Sequence, residues 1–223
     1  MEALVHAGGK GTRMGSYGIE KPMMKIGDKC AVERVVEALS ASENIDRVLV
    51  SVSDNTLETE KLLKSIGVET VRTSGDDFMG DLHQALECMD GDYVLTTPSD
   101  LPLITTSIFD KIIAGFVPKE MDSLLAVIDE RTVRKIGIIP SYVRENNGRS
   151  WVLSGVSIID RKKTLAGEYL NEHLFETDWL ELSVNVNTQM ELSLARTFYD
   201  EHLNRCSSRL CRSLGPCPEG PSL

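Results

Sequence analysis

Hydrophobic residues follow two alternating patterns in the first half of the chain. Continuous apolar runs, such as Val48 to Val52, are typical of buried parallel strands. Between them, segments such as Ala31–Ser40 repeat apolar residues at helical spacing along one face. The predicted strands cover residues 3–6, 48–52, 68–73 and 93–97, and the predicted helices cover residues 31–40, 58–66, 79–89 and 105–116. Successive strand–helix units predict a parallel sheet with helices on both faces.

The pattern changes after Gly115. Strands are predicted at residues 123–129, 133–140 and 151–159, with an Asn-Asn-Gly turn at residues 146–148 between the last two. A helix at 165–174, a strand at 182–186 and a closing helix at 188–203 follow. The closing helix has Thr188 as its predicted N-cap and Glu191 as the capping-box partner. The second half therefore predicts a small antiparallel addition to the α/β sheet.

The composition of the chain changes again at its C-terminal end, where Ser, Pro and Gly dominate. We predict one α/β domain over residues 1–204 and a mostly disordered tail over residues 205–223. Cys206, Cys211 and Cys217 of this tail could form a metal clip with His202, although zinc sites usually place paired cysteines closer together. The role of the tail stays open.

Charge limits the partners that the protein can have. The net charge of −10, from 24 Lys+Arg and 34 Asp+Glu, disfavours a broad nucleic-acid interface, because phosphate backbones require clustered cations. The sequence shows neither a signal-peptide pattern nor an apolar run long enough to span a membrane. We therefore expect a soluble, cytoplasmic protein that binds a small anionic ligand. Whether it forms a homodimer is left open.

A glycine-rich loop follows the first predicted strand. Glycines without a Cβ let backbone N–H groups approach phosphate oxygens closely. Arg13 can contact two phosphate oxygens at once, and Lys21, held beside Pro22, offers a point charge. The segment therefore predicts a triphosphate site. Its glycines are Gly8, Gly9, Gly11 and Gly15.

Two better-known glycine loops do not match this segment. The dinucleotide-binding pattern begins at Gly9 and Gly11, but Met14 stands where its third glycine is required. The P-loop requires Gly-Lys followed by Ser or Thr, and this chain has Gly11 after Lys10 instead. Ordinary P-loop kinase chemistry is therefore disfavoured.

Polar residues follow the predicted strands at the sheet edge where parallel α/β proteins bind ligands. Asp100 could bind a triphosphate through Mg²⁺, or it could be a turn residue. Asn187 could join Asp100 on magnesium or bind an acceptor phosphate, or it could merely precede the helix cap. Gly155, inside a predicted strand, indicates a bulge or a close backbone approach.

Three carboxylates, Asp76, Asp77 and Asp81, follow Ser74 and Gly75 at the end of the third strand. Carboxylates repel a triphosphate, so one of them could instead accept hydrogen bonds from guanine or from ribose hydroxyls. Alternatively, they stabilise the start of the helix at 79–89 through its dipole.

Together these motifs resemble the archaeal GTP:adenosylcobinamide-phosphate guanylyltransferase family, a branch of the molybdopterin-guanylyltransferase-like nucleotidyltransferases. The resemblance covers about residues 1–204 and implies a Rossmann-like nucleotidyltransferase fold. It also implies transfer of GMP from GTP to the phosphate of adenosylcobinamide phosphate, giving adenosyl-GDP-cobinamide and pyrophosphate in cobalamin biosynthesis. The motifs are Gly8-Gly9-x-Gly11-x-Arg13-Met14-Gly15, Glu20-Lys21-Pro22, Thr73-Ser74-Gly75, Asp81-Leu82, Ser99-Asp100-Leu101, Ser154-Gly155 and Asn185-Val186-Asn187-Thr188.

The resemblance also implies the roles of individual residues. Arg13 and Lys21 would hold the triphosphate as catalytic cations, Asp100 would hold Mg²⁺, and Asn187 would belong to the nucleotide site. The acceptor phosphate would attack the α-phosphorus in line while these cations stabilise the developing charge. Taken together with the reasoning from the residues, the predicted nucleotide-binding set is Ala7, Gly8, Gly9, Gly11, Arg13, Lys21, Ser74, Gly75, Asp81, Asp100, Gly155 and Asn187.

Other functions remain compatible with the same motifs. The acceptor could be the molybdenum cofactor, 2-phospholactate or a sugar 1-phosphate, since the acceptor pocket lies in the less regular second half. A non-catalytic GTP-binding regulator on the same fold is a further alternative, because fold alone does not determine function. The presence of Arg13, Lys21 and Asp100 disfavours it, since a regulator could lose all three.

Overall fold

The computed structural model describes residues 1–11, 18–140 and 142–213, with side chains described as far as Glu201. The strands are β1 Glu2–His6, β2 Lys25–Ile26, β3 Lys29–Cys30, β4 Arg47–Val52, β5 Glu69–Arg72, β6 Tyr93–Pro98, β7 Ser123–Asp129, β8 Val143–Asn146, β9 Arg149–Asp160 and β10 Glu172–Thr177. The helices are α1 Ala31–Ser40, α2 Leu57–Ser65, α3 Phe78–Glu87, α4 Thr106–Ala114, α5 Glu130–Lys135, α6 Arg161–Leu165 and α7 Gln189–Ser213. Short 3₁₀ turns cover Lys21–Met23 and Leu180–Leu182.

A mixed, mostly parallel sheet forms the centre of the protein, as predicted. Its strand order is β10-β7-β9-β6-β1-β4-β5, with β8 paired to β9 outside this path. Strand β1 pairs in parallel with both β4 and β6, and β5 continues the parallel part beside β4. Strand β9 runs antiparallel to β6, β7 and β8, which confirms the antiparallel addition predicted for the second half.

Apolar residues of β1 face opposite sides of the sheet, and each side is covered by helices. Ala3 and Val5 belong to the larger core, which includes apolar residues of α1, α4 and α7. Leu4, between them, packs in a second core with Leu82 and Leu86 of α3. Because successive side chains of a strand point to opposite faces, a strand covered on both faces is apolar throughout. This explains the continuous apolar run at the start of the chain.

Three predictions for the second half are wrong. Residues 133–140 contain no strand, because the Asp129 carboxylate accepts a 2.8 Å hydrogen bond from the Arg131 N–H and starts helix α5 there. The helix predicted at 165–174 is replaced by α6 and by β10, which pairs in parallel with β7. The segment 182–186 buries Val184 and Val186 but forms no strand.

Two local predictions in the second half are confirmed. Asn147 and Gly148 have φ of 49° and 73° and join β8 to β9 in a hairpin. Thr188 caps α7, since its Oγ1 accepts from the Glu191 N–H at 3.2 Å. The Glu191 carboxylate, its predicted capping-box partner, instead accepts from the Thr188 hydroxyl at 2.9 Å and from the N–H of the preceding Asn187 at 3.0 Å.

Helix α7 is longer than predicted. It ends at Ser213 rather than at residue 203, so it includes part of the segment predicted to be a mostly disordered tail. The side chains of the proposed metal clip, on His202, Cys206, Cys211 and Cys217, lie outside the described part of the chain. Across the described residues, no helix is both long enough and apolar enough to cross a membrane.

Candidate active site

A cleft of about 380 Å³ opens at the carboxyl ends of the parallel strands. Residues from the ends of β1, β4 and β6 line it, as expected for ligand sites in parallel α/β sheets. Most of the predicted site residues lie together here: Ala7, Gly8, Gly9, Gly11, Lys21, Gly75, Asp81, Asp100 and Asn187. Ser74 lies beside the cleft through its contacts with Asp81, and Gly155 lines an adjoining pocket. Arg13 lies outside the described residues.

The glycine-rich loop is anchored to the end of β4. The Ser53 hydroxyl donates a 2.6 Å hydrogen bond to the Gly8 carbonyl oxygen. Gly11 has a φ of 60°, and a Cβ there would lie 3.2 Å from the Lys21 Cβ. A Cβ on Gly9 would have open space, since no described atom lies within 4 Å of it. The loop is therefore tightly held at Gly8 and Gly11, whereas Gly9 leaves room for a ligand.

The loop after β5 is held by one carboxylate. Asp81 accepts hydrogen bonds from the Ser74 N–H at 2.8 Å, from the Ser74 hydroxyl at 2.7 Å and from the Gly75 N–H at 2.9 Å. Asp77 accepts from the Met79 N–H at 3.2 Å and caps α3, in agreement with a helix-start role. Asp76 forms an exposed 2.8 Å ion pair with Lys10. The acidic segment thus positions the loop and helix that form one wall of the cleft.

Lys21 joins two oxygen ligands from distant parts of the chain. Its ammonium donates to Asp100 Oδ2 and, at 2.7 Å, to Asn187 Oδ1. Asn185 Nδ2 donates to Asp100 Oδ1 at 3.1 Å, and the Val186 N–H donates to the Asp100 carbonyl at 2.9 Å. The Lys21 and Asp100 side chains are largely buried, with 19% and 9% of their surface exposed. The Asp100 carboxylate is therefore a charged group of the cleft wall.

The donor set is suitable for a magnesium ion shared with phosphates. Asp100 and Asn187 already direct an oxygen each at one cation, the Lys21 ammonium. Mg²⁺ is commonly held by one or two carboxylates together with substrate phosphates. Within the described part of the chain, no cluster of three or more His, Cys, Asp or Glu side chains forms a complete metal cage. A metal here would therefore require ligands from the substrate.

Glu20 has a structural role that its place in the Glu-Lys-Pro motif did not indicate. Its carboxylate accepts from the Glu58 N–H at 2.8 Å, from the Thr59 N–H at 2.7 Å and from the Thr59 hydroxyl at 2.6 Å. These are donors of the first turn of α2, which otherwise lack intrahelical partners. Glu20 therefore connects the segment that carries Lys21 to α2.

We expect Glu20→Ala to lower the free energy of unfolding by about 1–2 kcal/mol, because removing a helix cap leaves its N–H donors unsatisfied. Urea denaturation measures this change. Glu20→Gln retains one acceptor oxygen and should recover part of the stability. Wild-type stability in Glu20→Ala would contradict this assignment.

His6, at the end of β1, is another residue whose environment the sequence did not reveal. Burial lowers the pKa of its imidazole to about 4, although the charge of Asp81 partly opposes this effect. The His6 Nε2 is buried and has no hydrogen-bond partner among the described residues. The ring packs against Phe78, with centroids 5.1 Å apart. The imidazole is therefore neutral at physiological pH.

Gly155 shows both features predicted for it. The pairing register of β9 with β7 shifts around this position, which marks a bulge. Gly155 has a φ of 83°, and a Cβ there would lie 3.2 Å from the Pro98 ring. It lines a second pocket of about 260 Å³ that shares His6, Phe78 and Pro98 with the main cleft.

Comparison with known proteins identifies the class of this site. The chain is 28% identical over 205 residues to an adenosylcobinamide-phosphate guanylyltransferase of Methanocaldococcus jannaschii, covering 87% of this chain and 95% of that protein. It is 22% identical to a molybdenum cofactor guanylyltransferase of Shewanella sp. strain ANA-3, covering 66% and 72% of the two chains. A CMP:2-keto-3-deoxy-manno-octonic acid synthetase complexed with CTP has a similar fold, with a TM-score of 0.67, 15% identity and coverage of 90% and 98%.

The family assignment rests on a match that includes every predicted site residue. Residues 3–188 match the family model described as the MobA-like NTP transferase domain. This range begins within β1 and ends just before α7, so it contains the glycine-rich loop, Lys21, Asp100 and Asn187. The chain belongs to the MobA-like NTP transferase family, whose members are nucleotidyltransferases.

Proposed function

We propose that this protein transfers GMP from GTP to the phosphate of adenosylcobinamide phosphate, giving adenosyl-GDP-cobinamide and pyrophosphate in cobalamin biosynthesis. The observation that carries the proposal is the contact of Lys21 with Asp100 and Asn187 beside a glycine-rich loop. A cation next to backbone donors is suited to a triphosphate, because it can stabilise the negative charge that develops on the leaving pyrophosphate during transfer. The coverage of the M. jannaschii relative along most of its length supports the acceptor.

The proposed mechanism needs no covalent enzyme intermediate. The loop backbone at Gly8, Gly9 and Gly11 binds the triphosphate, and Lys21 moves from Asp100 to contact phosphate oxygens as the nucleotide enters. The acceptor phosphate, which is already ionised at neutral pH, attacks the α-phosphorus in line. The α-phosphorus–oxygen bond to pyrophosphate breaks as the new bond forms. Arg13 is proposed as a second cation on the phosphates.

We propose Mg²⁺ as the cofactor of this reaction. Asp100 and Asn187 would hold it together with phosphate oxygens, and the ion would neutralise charge on the triphosphate. Lys21 would then be displaced from Asp100 and become available to the leaving pyrophosphate. Asn185, which hydrogen-bonds the other carboxylate oxygen, keeps Asp100 oriented throughout.

Measurement of pyrophosphate release tests the proposed function. The reaction contains GTP and Mg²⁺, with and without adenosylcobinamide phosphate, and ATP serves as the control nucleotide. We expect release that requires both GTP and the corrinoid phosphate. A protein that binds GTP but releases pyrophosphate only with molybdopterin would instead favour the reaction of the Shewanella relative. The absence of pyrophosphate release with every acceptor, from a folded protein that binds GTP, would favour a non-catalytic regulator.

Asp100→Asn tests the proposed metal site. We expect kcat to fall by about 10²–10³-fold, because the carboxylate that would bind the ion becomes neutral. The Mg²⁺ concentration for half-maximal activity should rise at the same time. Asp92→Asn, at an exposed position paired with Lys162, is the matched control and should behave as wild type. Unchanged magnesium dependence in Asp100→Asn would exclude Asp100 as a metal ligand.

A further inference from the structure

The wall between the main cleft and the second pocket contains a buried polar atom without a partner. His6, Phe78 and Pro98 line both cavities. The Nε2 atom of His6 is buried and makes no hydrogen bond within the described part of the chain. Such atoms are uncommon in folded proteins because each costs the hydrogen bond that it had with water. Because His6 lines the cleft, a ligand can supply the missing partner once the exposed Phe78 ring, which packs against the imidazole, shifts aside.

The position of His6 in the fold places it at the α3 side of the cleft. Leu4, two residues earlier on β1, packs with Leu82 and Leu86 of α3. His6 lies on the same side of the strand, and its ring tilts by 52° against the Phe78 ring. Phe78, the first residue of α3, is 63% exposed. An exposed aromatic ring and a half-buried imidazole, whose Nε2 is buried, thus lie side by side at this end of the cleft.

The two ends of the cleft differ in the charge that they present to a ligand. Lys21 offers a positive charge beside the glycine-rich loop, which is suited to phosphates. Asp81 lines the cleft close enough to His6 for its charge to act on the imidazole, and carboxylates repel phosphates. His6 adds no positive charge, because burial keeps its imidazole neutral at pH 7. The end formed by His6 and Phe78 is therefore suited to an uncharged, aromatic part of a ligand.

We propose that His6 contacts the base of the bound nucleotide, forming a hydrogen bond between its Nε2 and the base edge while Phe78 lies against the base. The inference rests on the proposed function only in requiring a nucleoside triphosphate in the cleft. It does not depend on the acceptor. His6 then contributes to nucleotide affinity and to the choice of base, whereas Lys21 and the loop bind the triphosphate of any nucleotide.

His6→Phe separates this role from a structural one. The substitution retains an aromatic ring against Phe78 and removes both nitrogens. We expect the thermal midpoint to stay the same or rise, since a buried polar atom without a partner is removed. Calorimetry should show GTP binding weakened about threefold to tenfold, the effect of one lost neutral hydrogen bond. Binding of ribose 5′-triphosphate, which has no base, should not change.

His173 provides the matched control. Its Nε2 is also buried without a partner among the described atoms, but it lies in β10 and lines neither cavity. His173→Phe should therefore match the effect of His6→Phe on stability and leave GTP affinity unchanged. His6→Gln, which keeps a polar end, should recover part of the GTP affinity. It also serves as the binding variant should His6→Phe fail to fold.

Three results would overturn the proposal. In the first, His6→Phe and His6→Gln bind GTP as tightly as the wild type does. In the second, His6→Phe weakens the binding of ribose 5′-triphosphate as much as it weakens the binding of GTP. The wild-type protein could also fail to bind GTP, which would overturn the proposed function as well. Tight GTP binding without pyrophosphate release from any acceptor would refute the transferase reaction alone, because the His6 test measures binding only.

Discussion

Replacing Lys21 with alanine is expected to lower kcat/KM for nucleotidyl transfer about 10²–10³-fold. The Lys21 ammonium is the positive charge that contacts Asp100 and Asn187 in the cleft wall. The Lys21 and Asp100 side chains are largely shielded from water. A charge in such a site stabilises phosphate oxygens more strongly than it would in water. Steady-state pyrophosphate release with GTP and the acceptor measures the change.

Two further variants separate charge from geometry at this position. Lys21→Arg keeps the charge but replaces a compact ammonium with a planar group, so we expect only partial recovery of activity. Lys64→Ala removes a lysine that pairs with Glu60 on α2, outside the cleft, and should retain wild-type kinetics. If Lys21→Ala were as active as Lys64→Ala, Lys21 could not stabilise the reacting phosphates.

Lys21→Ala should also lower the free energy of unfolding by about 1–3 kcal/mol, since Asp100 loses a charged partner in a poorly solvated site. Asn185 still donates to Asp100 and limits this loss. Activity must therefore be compared at a temperature where urea denaturation shows the variant to be folded. A folded variant with the expected kinetic defect would separate the catalytic role from the structural one.

Gly75→Ala is expected to lower the free energy of unfolding by about 2–5 kcal/mol and to abolish measurable GTP binding. Gly75 has a φ of 73°, which costs other residues about 1–2 kcal/mol. In addition, its Cβ would lie 2.5 Å from Ser53 Oγ and 2.6 Å from the Gly8 carbonyl oxygen. These atoms form the hydrogen bond that anchors the glycine-rich loop, so relief of the clash would displace the loop.

Gly67→Ala separates the backbone effect from the clash. Gly67 has a φ of 78°, but no described atom lies within 4 Å of the position of an added Cβ. We expect this variant to lose only about 1–2 kcal/mol and to bind GTP as wild type does. Urea denaturation and calorimetry compare the two variants directly. Equal losses in both would show that the contact of Gly75 with the loop has no energetic role.

The chemistry of the site could be predicted from the sequence to a useful extent. Glycines, a lysine and strand-end polar residues have recognisable spacings, and the sheet-edge rule correctly predicted that most of them share one cleft. Their partners could not be predicted. Lys21 meets Asp100 and Asn187 across 79 and 166 residues of chain, and Glu20 caps a helix 38 residues later. Such contacts depend on how helices and strands pack against one another, and this packing has no short-range pattern in the sequence.

The sequence by itself determined most of the first half of the fold, although it did not predict the short β2–β3 hairpin. Strands buried on both faces and amphipathic helices carry dense periodic patterns, so α1 was predicted with its observed bounds and β1, β4 and β6 with small errors. Turn and cap residues, such as Gly148 and Thr188, were also locally determined, because their backbone angles or hydrogen bonds involve near neighbours.

Only the tertiary structure decided the second half and the state of the polar groups in the cleft. Strand β10 becomes a strand by pairing with the distant β7, and the buried segment at Val184 and Val186 is held by a bond to Asp100 rather than by a ladder. The neutral imidazole of His6 likewise results from burial at the sheet edge. Periodicity reports which residues avoid water, whereas pairing, protonation and partner choice depend on neighbours that are remote along the chain.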